Sequence, residues 1–150
     1  MAVNMKQVRA ALEPEEPNYD EAAKLGPDAL PHLKRLVQGD DAMLASKAAY
    51  LAGRIDSDKS PSVLAEAAES SDPAVRVAAA SGAGHLSAEA PELFDLLLSD
   101  NDAGVRRNAL KSVATAKPEG VEEKVKELAG GDAAEHVREQ ARKTARELRK

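Results

Sequence analysis

Three histidines, His32, His85 and His136, supply the side chains that titrate nearest neutral pH. No two of them stand four apart and no His-Glu-x-x-His run occurs, so the spacing of a helix-borne zinc site is missing. They read as partly exposed helix histidines. The chain has no cysteine, which excludes disulfides and thiolate metal sites. No serine, histidine and acid match a nucleophile arrangement. Gly82-Ala83-Gly84 has the composition of a phosphate loop, but it lies inside a helical pattern rather than between a strand and a helix. Gly53 shares a repeat column with Gly84, and close helix contact or a tight exit is the expectation for both. The acid pairs Glu15-Glu16 and Glu122-Glu123 are sequence neighbours, so they diverge on a helix and do not face one bond. The expectation is therefore a chain that is not an enzyme, with no metal and no cofactor.

The elements carrying these residues repeat. Asp72 to Leu86 reads DPAVRVAAASGAGHL, and versions of it occur at Asp102 to Ala114, at Asp41 to Gly53 and, more loosely, at Asp132 to Leu148. Leu44, Val75, Val105 and Val137 fill one column. Ala48, Ala79, Ala109 and Ala141 stand four later, and Ala52, Ala83, Val113 and Ala145 four later again. A period of about 30 residues carrying a helical apolar stripe predicts an all-α chain built as an α-solenoid. Aspartate caps the first helix of a unit and proline opens the second at Pro61, Pro91 and Pro118. The predicted divisions are a cap helix over 1–17, repeats over 18–39, 40–71, 72–101 and 102–131, and a C-terminal cap over 132–150. Gly130-Gly131 is expected to end its helix in the left-handed conformation. Of the 150 residues 43% are hydrophobic but only 2% aromatic, so the core is alanine-rich and suits a long thin stack.

The segments DPAVRVAAASGAGHL and DAGVRRNALKSVA, with the linking phrase LGPDALPHLKRLV, resemble the HEAT repeat family, and within it the HEAT-like repeats of phycobilisome (bilin) lyases. The resemblance runs from about Asn18 onward. It implies a right-handed superhelix of HEAT-like helix pairs with the second helices on the concave face. It also implies that cap aspartates and the arginines after the aliphatic column (Arg76, Arg106, Arg138) tie neighbouring repeats together. Ala45 stands in the arginine column of the Asp41 unit, so that tie should weaken there.

Charge separates the two helix sets. Residues 61–70 carry −2, residues 88–99 carry −3 and residues 118–129 carry −2, together more negative than the −5 of the whole chain. The first helices hold Lys47, Arg54, Arg76, Arg106, Arg107 and Lys111, and the C-terminal helix is basic. The expectation is an acidic concave groove made by Glu66, Glu69, Glu92, Asp95, Glu122, Glu123 and Lys126, with Leu93 and Leu96 as apolar anchors. Such a surface attracts a basic peptide or protein and repels phosphate. The function read from this is a non-enzymatic scaffold or adaptor. The alternatives are a nucleic-acid binder using its basic convex face, or an accessory subunit of an enzyme such as a lyase. No leader-like or membrane-spanning run is visible, and a cytoplasmic monomer is expected.

Overall fold

Each full unit begins with the same local event. Asp41, Asp72 and Asp102 hold extended backbone, and each carboxylate accepts a hydrogen bond from a main-chain N–H two or three residues on. That partners donors which the first helical turn leaves without acceptors. The computed structural model describes residues 2–150, and among them the chain is helical throughout. The helices are α1 (Met5–Leu12), α2 (Tyr19–Ala22), α3 (Leu30–Val37), α4 (Ala42–Arg54), α5 (Ser60–Ala68), α6 (Pro73–Ala83), α7 (Pro91–Leu98), α8 (Ala103–Ala116), α9 (Glu122–Gly131) and α10 (Glu135–Leu148). Short 3-10 turns, Ala23–Leu25 and Pro27–Ala29, join α2 to α3 around Gly26.

The chain is an α-solenoid of two layers. The first helices α4, α6, α8 and α10 lie side by side in sequence order, and α3, α5, α7 and α9 form the second layer. Connections from a second helix to the next first helix take three or four residues, whereas those from first to second take five to seven. The shorter turns make the tighter hairpins. Accordingly α5 packs more on α6 than on α4, α7 more on α8 than on α6, and α9 chiefly on α10. Helix α1 packs on α2, α3 and α4.

Small residues let the first helices approach closely. Ala45, Ala48, Ala49, Ala52, Ala79, Ala80, Ala83, Ala109 and Ala141 are all buried. A methyl built on Gly53 would fall 2.6 Å from the Gly82 carbonyl carbon, so that α4–α6 contact admits no side chain. Buried hydroxyls stitch the next two contacts: Ser112 Oγ donates to the Ala80 carbonyl at 2.5 Å and Thr144 Oγ1 to that of Leu110 at 2.9 Å. Gly130 and Gly131 depart from expectation. Helix α9 does end at Gly131, but neither glycine is left-handed; among the described residues positive φ falls at Gly26, Lys117 and Gly120.

The arginine column ties repeats together, but through different acids from those expected. Arg76 donates from Nε to Asp100 at 3.0 Å and from Nη1 to the Ser70 carbonyl at 2.9 Å. Arg106 donates to both Asp132 oxygens, at 2.7 and 2.9 Å, and from Nη1 to the Asp100 carbonyl at 2.8 Å. The partners are thus Asp100 and Asp132, while Asp72 and Asp102 are consumed in capping. Asp100 and Asp132 stand two residues before the helix caps, where each also accepts from the main-chain N–H of Asp102 or Ala134. Each rung therefore joins a carbonyl in the loop leading into its own first helix to a carboxylate in the loop leading into the next first helix. Paired and mostly out of water, Asp132 has its carboxyl held below the ordinary range, chiefly by the Arg106 hydrogen bond, and Arg106 is raised by the same contact. At the Asp41 unit, Ala45 is buried and no rung forms.

Candidate functional site

The acidic residues singled out from the sequence all lie on the second-helix layer. Glu66 is on α5 and Glu69 caps its end; Glu92, Leu93, Asp95 and Leu96 are on α7; Glu122, Glu123 and Lys126 are on α9. All but Glu66 and Leu93 are exposed. Glu66 is half-buried and accepts from the Gln38 side-chain amide at 2.9 Å. Leu93 is a correction. At 5% exposure it is core, because Leu93, Phe94, Leu97 and Leu98 form the inward stripe of α7. Leu96 lies off that stripe and is 43% exposed, so it alone remains an apolar anchor.

Not all of these residues come together. Glu92 and Asp95 border one shallow cleft between α7 and the start of α9, of about 300 Å³, with Glu119 and Lys124 on its other side. Three carboxylates against one ammonium make it locally negative. Glu123 and Lys126 face each other at 3.9 Å in the open, a pair worth little energetically. Beside the cleft, the loops before α7 and α9 enclose a larger cavity of about 600 Å³, with Phe94, Ala90 and Ala116 among its lining residues.

A second cluster, on the first-helix layer, escaped the sequence reading. Both tyrosines of the chain and one of its three histidines meet there. Tyr19 of α2 stands edge-on to Tyr50 of α4, ring centroids 4.7 Å apart, and Tyr50 stands edge-on to His85 at 5.6 Å. The Tyr50 hydroxyl and His85 Nε2 are hydrogen-bonded at 3.2 Å. An Arg54–Asp20 ion pair ties α4 to α2 beside them. Burial first, and Arg54 second, push the His85 imidazole below its ordinary value, with Asp20 opposing. Burial, then Tyr50, raises the Tyr19 phenol. The His85 shift favours the uncharged imidazole, whose two ring nitrogens then divide into one donor and one acceptor. Shallow depressions of about 490 and 190 Å³ flank Tyr50, floored by small residues such as Ala74, Ala78 and Ser81. The one sequence sign of this cluster was the rarity of the rings themselves. The other histidines are apart: His32 Nε2 is 2.9 Å from the Val3 carbonyl, and His136 is exposed on α10.

No family model matches the chain, and no curated protein matches it. Among solved structures it is similar to a chain of the complex of CpcE and CpcF of phycocyanin lyase from Nostoc sp. PCC7120, with 20% identity and a TM-score of 0.74. The likeness covers 93% of this chain and 96% of that one. It corrects one expectation. A chain of this architecture was read as no enzyme because it lacks a nucleophile or metal arrangement, yet the same architecture forms part of a lyase complex. What the two chains share is the fold, from one end of the stack to the other.

Proposed function

We propose that this chain is a HEAT-like repeat subunit of a lyase-type enzyme complex, working joined to a second protein rather than alone. The observation that carries this is the end-to-end match in fold to a chain of a two-protein lyase complex. The surface offered to the partner is the second-helix layer, where Glu69, Glu92, Asp95, Glu122 and Glu123 leave exposed carboxylates around Leu96. Long-range attraction to that layer favours a basic partner segment and speeds its encounter. The hydrogen-bonded Tyr50–His85 pair lies on the opposite layer, away from that surface.

The test is co-purification from the source cells followed by sedimentation of the recovered complex. A stoichiometric second protein is expected, and lyase activity that needs both chains. The variant Glu66→Lys/Glu92→Lys/Asp95→Lys/Glu123→Lys should keep its helical circular dichroism and lose the partner by at least about tenfold in affinity. A chain that acts alone, or recovers no stoichiometric partner, would sink the reading. Retention of the partner by the variant would move the contact to another face.

A further inference from the structure

The rungs of the arginine ladder stop one short. Arg138 stands on α10 where Arg76 and Arg106 stand on α6 and α8, and it has made the inner half of a rung: its Nη1 donates to the Asp132 carbonyl at 2.6 Å. At the two earlier positions the outer half goes to a carboxylate in the loop just before the next first helix. For Arg138 no carboxylate lies within ion-pair distance among the described residues.

The rest of that edge agrees. Four and eight residues after the arginine column, the earlier first helices carry the small or apolar residues against which the next helix lies; α10 carries Arg142 and Arg146 there, both exposed. By register, this is the face a further first helix would cover, with its packing residues replaced by guanidinium groups. Arginine suits the place because its planar fork holds a carbonyl and a carboxylate at once, as Arg106 does.

We propose that this edge of α10 is a docking surface for an acidic helical protein, separate from the acidic second-helix layer. Its partner presents a carboxylate just before a helix to Arg138 and further carboxylates one and two turns on to Arg142 and Arg146. Nucleic acid fits less well. Glu135, Glu139 and Glu147 share the helix with these arginines and the whole chain is −5, which opposes a polyphosphate but not point-to-point pairing.

The probe is a fluorescent alanine-based helical peptide with aspartate at its cap and glutamate at every fourth position, titrated with the full chain at low ionic strength. Binding should weaken at least about tenfold in the Arg138→Gln/Arg142→Gln/Arg146→Gln variant, and similarly when the peptide's acids become Asn and Gln. A control variant, Lys6→Gln/Arg9→Gln/Arg35→Gln, should bind as the parent does. Unchanged thermal melting of the triple α10 variant keeps folding out of the comparison. Equal affinity of the triple variant, equal affinity of the neutral peptide, or no binding of the acidic peptide would each overturn the proposal. So would tighter binding of a DNA duplex that depends on the same three arginines.

Discussion

Asp132 shows how much one carboxylate carries in this fold. Its side chain, 4% exposed, receives two hydrogen bonds from Arg106 and one from the Ala134 N–H, joining the third full unit to α10. Removing one partner of such a pair strands a guanidinium, so Asp132→Ala should cost about 3 kcal/mol. For a chain of this size that lowers Tm by about 6–12 °C, measurable by circular dichroism. The pH dependence follows from the sign of the shift. The folded carboxyl lies below its unfolded value, so its contribution is full above the unfolded value of roughly 4 and is lost as pH falls through the folded one. Parent stability should therefore drop more steeply below about pH 4 than that of Asp132→Asn, and parallel curves would refute this. Gly53 makes the complementary case, where the absence of atoms matters. With the Gly82 carbonyl facing it, Gly53→Ala has only backbone to push against. About 3 kcal/mol is expected, seen as a lower urea midpoint, whereas the same change at Gly130, which faces open space, should not destabilise.

Helix ends divide what the sequence shows from what it hides. The N-termini were legible because aspartate at the cap and proline in the first turn act locally, as Asp72 and Pro73 do. The C-termini were not. Gly130-Gly131 promised a left-handed stop, but α9 ends at Gly131 with neither glycine left-handed, while α8 ends on Lys117, which no propensity marks as left-handed. Lys117 sits at φ 49 and ψ 55, and Lys117→Gly should relieve roughly 1 kcal/mol and raise Tm by about 2–4 °C; a lower Tm would contradict this. The arginine column was visible, but its acids lie 24 and 26 residues away and two residues before the caps, so the caps drew the assignment. In PELFDLLL the apolar residues outnumber one helical face, so Leu93 and Leu96 could not be told apart by type. Tyr50 on α4 and His85 in the turn after α6 are 35 residues apart, and only the folded stack reveals that the two meet.

Across the whole molecule, each unit leans forward onto the next. Second helices pack more on the following first helix than on their own, so the stack is stabilised by its successors as well as its predecessors. Nowhere is this stronger than at the C-terminal end, where α9 packs chiefly on α10 and only sparsely on α7 and α8. Removing α10 by ending the chain at Gly131 takes away Val137, Ala141 and Thr144 from the core and leaves Arg106 without its carboxylate. With α10 goes the main support of α9, whose own buried stripe is only Val125 and Leu128. An isolated helix of that length is marginal in water. Amide exchange on the shortened chain should therefore show α9 as unprotected as a coil, and α8 weakened along the side that faced α10. The α4–α6 contact, closed by Gly53 against Gly82, should keep its protection. If α9 stayed protected, its anchorage would lie within its own unit, and the forward-leaning packing would not be what holds the stack together.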